Sequence, residues 1–207
     1  MNRLARYYWF RKLKGSPYQW LFTEPQDQTL VSLDCETTSL DPKQADLVSI
    51  AATQVVENRI ITSAPFDIRL RPPKSLDANS VVIHKIRHQD LANGLTEQEA
   101  LIALIKFIGN RPLIGYHIRY DKEILDLACK RSLGFPLPNR IIEVSQIYHD
   151  LLEKHLPNAY FDLSLDAICR HLNLPIHDKH DALQDAITAA MVYVRLTHGD
   201  LPNLQRS

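Results

Sequence analysis

Leu30-Val-Ser-Leu-Asp34-Cys-Glu36-Thr-Thr38 is the stretch on which the fold turns. Residues two apart on an extended strand share a face. Val31, Leu33 and Cys35 therefore point one way, as apolar core residues, while Asp34 and Glu36 point the other. Two carboxylates side by side at a strand's end repel, and a bound cation is the usual relief. The triplet alone decides little, because a second Asp-x-Glu, Asp121-Lys-Glu123, lies downstream. What surrounds each acid has to carry the argument.

Working outward, Leu47–Val56 and Ile60–Leu70 also read as strands, rich in Val and Ile and separated by Asp-Pro and Glu-Asn turns. Such short connections predict an antiparallel meander. Thr96-Glu-Gln-Glu99 is a capping box opening a helix with Leu101, Leu104, Ile105 and Ile108 on one face, closed by Gly109-Asn110. Pro112–Tyr116 and Arg140–Val144 read as short strands. Helices are expected over Asp121–Arg131, Ser145–Lys154, Ser164–Leu172 and about Asp181–Leu196. A meander followed by strands interleaved with helices predicts an α/β domain, its mixed sheet covered by helices.

Two further acids and a histidine attract attention by position. Asp121 opens a helix just after the buried run Pro-Leu-Ile-Gly115, near a carboxyl end of the sheet, where open α/β sheets bind ligands. The bland reading of the same residue is a helix cap. His180 and Asp185 are five apart. That spacing rotates them by about 140° within a helix, so His180 is expected in the preceding loop and Asp185 in the first turns. Asp185 then falls on the stripe Ala182, Ala189, Val192, where a half-buried acid needs a partner or a cation. A solvated histidine and a dipole-favoured aspartate are the alternative.

Lys+Arg and Asp+Glu balance at 24 each over 207 residues, enough chain for one well-buried domain and without a global field. Neutrality still permits a nucleic-acid groove where acids gather around metal ions. Cys35, Cys129 and Cys169 form no C-x-x-C pair, which argues against a disulfide framework or cysteine zinc site and suits a reducing, cytoplasmic setting. No signal peptide, membrane span, H-E-x-x-H or Walker loop is present, and six glycines make backbone phosphate cradles unlikely as the chemistry. Residues 1–28 form a basic, aromatic extension. It reads either as a stacking and phosphate-binding arm, as a membrane-surface helix, or as a helix whose aromatics pack on the domain.

Taken in order, Asp34-Cys-Glu36-Thr-Thr, then Gly115 to Tyr120-Asp121, then His180-x4-Asp185 resembles the DEDDh, or DnaQ-like, 3′–5′ exonucleases. That family includes the polymerase III epsilon subunit and related stand-alone bacterial exonucleases. Thr37 to Asp46, Val82-Ile-His84 and the Leu163 to Arg170 run are similar to it as well. The resemblance implies a ribonuclease H-like sheet over residues 29–198, followed by a tail of residues 199–207. It implies a metal-dependent exonuclease acting on a nucleic-acid 3′ end, single-stranded DNA first, and releasing nucleoside monophosphates. Two divalent cations, Mg²⁺ or Mn²⁺, would be held by Asp34, Glu36, Asp121 and Asp185, with His180 as general base. Thr37, Thr38, Leu40 and His84 would face the terminal nucleotide. An oligoribonuclease-type RNA enzyme and a non-catalytic nucleic-acid- or polymerase-binding subunit are the other readings. Against the family pattern, Ser39 and Lys85 replace common glycines, His117 replaces Asn, and Tyr120 replaces Phe. Ser39 would be strained if its φ were positive.

Overall fold

β1 (Leu30–Thr37) is the middle strand of a five-stranded sheet. The computed structural model describes residues 1–157, 159–176 and 181–199. The chain enters through α1 (Arg3–Lys12), capped by the Asn2 side chain accepting the Ala5 N–H at 2.8 Å, and a 3₁₀ turn at Gln19–Phe22. β2 (Leu47–Val56) and β3 (Arg59–Arg69) complete an antiparallel meander with β1. Glu57 and Asn58 both take positive φ, 47° and 66°, the two-residue geometry whose twist suits a tight hairpin. α2 (Ala78–His84) and α3 (Glu97–Ile108) follow. Then come β4 (Leu113–Gly115), α4 (Ile118–Leu133), β5 (Ile141–Glu143), α5 (Val144–His155), α6 (Leu165–His171) and α7 (Ala182–His198). The sheet order is β3-β2-β1-β4-β5, with β4 parallel to β1 and β5 parallel to β4. This is the mixed, helix-covered sheet the sequence predicts.

Two apolar layers sandwich that sheet. On one side Val31, Leu33 and Cys35 join Leu101, Leu104 and Ile108 of α3 and Ile124 and Leu125 of α4. On the other, Ile114 packs with Val144, Tyr148, Ile168 and the α7 residues Ala189, Ala190 and Val192. The capping box of α3 is present, with the Thr96 N–H donating to Glu99 Oε2 at 2.9 Å and the Glu99 N–H to Thr96 Oγ1 at 3.3 Å. The cysteines are free and buried. Among the described residues no helix is long and apolar enough to cross a membrane.

α4 begins at Ile118, earlier than the sequence reading placed it, so Asp121 sits in the first turn rather than at the cap. His117 takes the cap position in the left-handed region, φ 56° and ψ 25°, a conformation that His and Asn enter more readily than most side chains. Gly115 immediately before it is packed against two segments. A Cβ there would lie 2.9 Å from both the Leu33 carbonyl oxygen and Ile118 Cβ, so only glycine lets α4 start this close to β1.

Of the two replaced glycines, the strained position is Lys85. Ser39 is not among the described residues with positive φ, whereas Lys85 ends α2 at φ 58°. A non-glycine residue there costs on the order of 1 kcal/mol. Lys85→Gly is therefore expected to raise the melting temperature by about 2–4 °C. An unchanged or lower melting temperature in matched buffer would show that the lysine makes a compensating contact.

Candidate metal and nucleic-acid site

Asp34 and Glu36 reach the carboxyl end of β1 on the face covered by α7, opposite the Val31–Leu33–Cys35 core face. α7 is pinned to that face by a buried hydrogen bond, Ser32 Oγ donating to the Ala186 carbonyl at 2.6 Å. Alanines at 182, 186, 189 and 190 are all buried and give the helix a slim face toward the sheet. Asp185, beside Ala186, is thereby delivered to the strand's two acids. One carboxylate oxygen each from Asp34, Glu36 and Asp185 lies within 4.8 Å of the other two. Three carboxylate oxygens that close form a hard-oxygen donor set, suited to Mg²⁺, Mn²⁺ or Ca²⁺ rather than to softer ions.

Asp121 arrives from the other layer. Its Oδ1 accepts the Cys35 N–H at 3.0 Å, which ties the first turn of α4 to the strand between the two acidic residues. Asp121 is 4% and Glu36 7% exposed. Loss of water raises the Glu36 carboxyl to about 7, with Asp185 and Asp181 adding repulsion. The same desolvation raises Asp121, partly offset by the backbone N–H groups it accepts from. Asp34 is pushed well above the usual carboxylate range by desolvation first, then by Asp121, Glu36, Asp185 and Asp181.

Asp181 is the acid the sequence reading left out. Its side chain caps α7 by accepting the Gln184 N–H at 3.0 Å, yet its charge bears on Asp34, Glu36 and also Asp67 of β3. Its place beside His180 was the available signal, overshadowed by its capping role. His180 itself lies outside the described residues.

The four substrate candidates fall in different settings. Thr37 Oγ1 hydrogen-bonds the Tyr120 hydroxyl at 2.7 Å, and the Tyr120 hydroxyl also donates to the Ser39 carbonyl. Thr38 Oγ1 pairs with Ser75 Oγ at 2.9 Å and accepts the Asp46 N–H at 3.1 Å. These bonds hold the loop that displays Leu40, 87% exposed, beside a cavity of about 500 Å³ shared with His117, Arg119, Tyr120, Glu143 and Ser145. His84 is the least accessible of the four at 2% exposure, its Nδ1 accepting the Ile86 N–H at 3.1 Å.

A family model described as RNase_T, exonuclease, matches residues 31–193. A DNA polymerase III subunit epsilon from Rickettsia prowazekii is 29% identical over 174 residues, covering 82% of this chain and 74% of that protein. A PolC-type DNA polymerase III from Thermotoga petrophila is 26% identical over 170 residues, covering 82% of this chain. The chain spans only 12% of that polymerase's length. Escherichia coli exonuclease I, solved with a dT13 oligonucleotide, superposes with a TM-score of 0.71 at 14% identity. That match covers 83% of this chain and 41% of the other, and the likeness is one of fold.

A pH dependence follows from the raised carboxyls. In the folded, cation-free protein Glu36 holds its proton up to about 7, whereas an unfolded glutamate releases it near 4.3. The folded state therefore binds more protons in that window, and its stability falls as pH rises through it. A divalent cation needs the ionised carboxylates, so its stabilising effect grows over the same range. The melting-temperature gap between Mn²⁺- and EDTA-containing samples is expected to widen from pH 5 to pH 8. A gap independent of pH would separate these carboxyls from cation binding.

Proposed function

The chain belongs to the RNase_T exonuclease family, and on that premise we propose that it is a 3′–5′ exonuclease cutting single-stranded DNA from its 3′ end. The observation that carries this reading is the Asp34–Glu36–Asp185 oxygen cluster at the carboxyl end of β1, with Asp121 hydrogen-bonded to the same strand. The dT13 oligonucleotide held by exonuclease I favours DNA as the first substrate to test. We take residues 29–198 as the exonuclease unit, residues 1–28 as an extension and 199–207 as a tail.

In this reading Asp34, Glu36, Asp121 and Asp185 together hold two divalent cations, Mg²⁺ or Mn²⁺. Bound there, the cations would supply positive charge for the attacking and leaving oxygens of an in-line displacement. The rest falls to the chain's own groups. Leu40 presses its exposed apolar side chain against the terminal base. Thr37 and Thr38 seat the terminal nucleotide, kept in place by Tyr120 and Ser75. His84 supports that seat from beneath. His180, next in sequence to the α7 cap Asp181, accepts the proton of the attacking water, the general-base role imidazoles most often take. Water oxygen bonds to phosphorus, the bond to the 3′ oxygen breaks, and a nucleoside 5′-monophosphate leaves.

Asp34→Asn and Asp185→Asn should each abolish nearly all release of mononucleotides from a 5′-labelled dT oligomer. Both should remain folded, with an equal or higher melting temperature in EDTA because like-charge repulsion is relieved. Wild-type rates in either variant would defeat the metal assignment. His180→Ala should lower turnover by about 10²–10⁴ while oligonucleotide affinity and cation-induced stabilisation stay near wild type. Turnover at the wild-type level in that variant would remove the histidine from the mechanism.

A further inference from the structure

The amino-terminal segment carries a second feature. Residues 1–23 contain no Asp or Glu but include Arg3, Arg6, Arg11, Lys12 and Lys14. α1 is two-faced. Trp9, Phe10 and Leu13 pack toward the core, with Trp9 stacked on Phe22 at 6.4 Å, and Arg6 is buried with its guanidinium donating to the Thr23 and Pro138 carbonyls. The outer face leaves Leu4, Tyr7 and Tyr8 exposed at 82%, 62% and 56%. Lys12 Nζ stands 5.7 Å from the Tyr8 ring centroid. A cavity of about 620 Å³ opens beside Tyr7, walled by Phe10 and Phe22 and edged by Arg3 and Arg140. Its carboxylate, Glu24, is committed to Arg6 at 3.0 Å and faces Arg140 at 3.7 Å.

We propose that this face is an exosite for the single-stranded nucleic acid upstream of the 3′ end, with Tyr7 and Tyr8 stacking bases and Arg3 and Arg140 pairing phosphates. The proposal rests on the exonuclease reading for the identity of the strand. Exposed rings interleaved with cations, and no acid in the segment, match what single strands need: π-faces and positive charge without sequence readout. An anionic bilayer is the weaker match, because that mode wants a broad aliphatic face and α1 has already buried half of its apolar residues against the domain. Separation from the cleavage site sets a length requirement. Asp121 sits in the first turn of α4, and Phe135, which contacts Phe22 and Tyr18, follows its end. Fourteen residues of helical rise put Phe135, behind the Phe22 wall of that cavity, about 20 Å from Asp121, while the amino terminus of α1 lies nearer, within electrostatic reach of Lys122 and Asp126. A strand running from the acids to the Phe22 end of the cavity needs about six stacked nucleotides at 3.4 Å each.

The test is fluorescence anisotropy with 5′-labelled dT4 and dT20 in EDTA, using full-length protein. Wild type is expected to bind dT20 at least about tenfold tighter than dT4. The double variant Arg3→Ala/Tyr7→Ala, altered only at exposed side chains, should lose about fivefold or more for dT20 and nothing for dT4. Its salt dependence should shrink by about one ion for the lost phosphate contact. Tyr8→Ala and Arg140→Ala should reproduce part of the loss, and all variants should melt with wild type. Equal dT20 affinity in wild type and the double variant overturns the exosite. Binding to phosphatidylglycerol vesicles that is lost in the double variant while dT20 binding is not overturns it in favour of a membrane. Mn²⁺-dependent digestion of dT4 is measured in parallel. If dT4 is never cut by wild type yet the dT20 preference depends on Arg3 and Tyr7, the exosite stands and the exonuclease reading fails.

Discussion

Like charges held together against their own repulsion are the constraint around which the domain is arranged. Asp34, Glu36 and Asp185 would separate if their backbones were free to do so. They are not, because the Ser32–Ala186 hydrogen bond sits two residues before Asp34 on one side and one residue after Asp185 on the other. That contact is fully buried and flanked by alanines, so α7 can lift from the sheet only by opening an apolar layer. Core packing and ligand spacing are thus one structural fact. A larger side chain at Ala186 would disturb both together, which is why the stripe of small residues next to the acid matters more than the acid's own helical context.

Asp121 is fixed by a separate mechanism from the opposite layer. Gly115 admits a close backbone approach between β4 and β1, and His117 then turns the chain through a left-handed conformation into α4. The Glu143 carboxylate receives the His117 N–H at 3.0 Å and the Ser145 hydroxyl at 2.9 Å, tying the starts of α4 and α5 to one another. Cys35 closes the arrangement by donating its N–H to Asp121. β1 therefore contributes two acids from its side chains and, between them, a backbone donor that orients a third acid. Helices from both faces of the sheet thus deliver acids to one strand end, α4 from one apolar cluster and α7 from the other.

Those parts with a period were legible from the residues. The β1 alternation, the Glu-Asn hairpin, the α3 capping box and the alanine stripe of α7 each state their geometry locally. Less was legible where tertiary contacts override pattern. α2 shows Val82 and Ile83 exposed, so no apolar period marks it, and only its cap at Asp77 and its αL exit at Lys85 define it. Asp121 was placed at a helix start because the left-handed turn at His117 has no composition signal of its own. Asp181 caps α7, but proximity to Glu36 across the fold gives it an electrostatic role that no spacing rule contains. Ser39 and Lys85 looked alike as glycine replacements, and only backbone torsion separates the relaxed position from the strained one.

The zero net charge conceals a strong separation of charge. Acids crowd one end of β1, where Asp34, Glu36, Asp121, Asp181 and Asp185 act on one another, while the first 23 residues carry cations alone. A polyanion approaching the acidic end meets repulsion until divalent cations neutralise it, so that end by itself is a poor landing place. A separate basic and aromatic face removes the difficulty, because initial capture and cleavage then occur at different potentials. Capture at the basic end raises the local concentration of the strand, and the cation-loaded end draws in only its terminus. Compositional balance in such a chain is the sum of two specialised surfaces rather than evidence that neither exists.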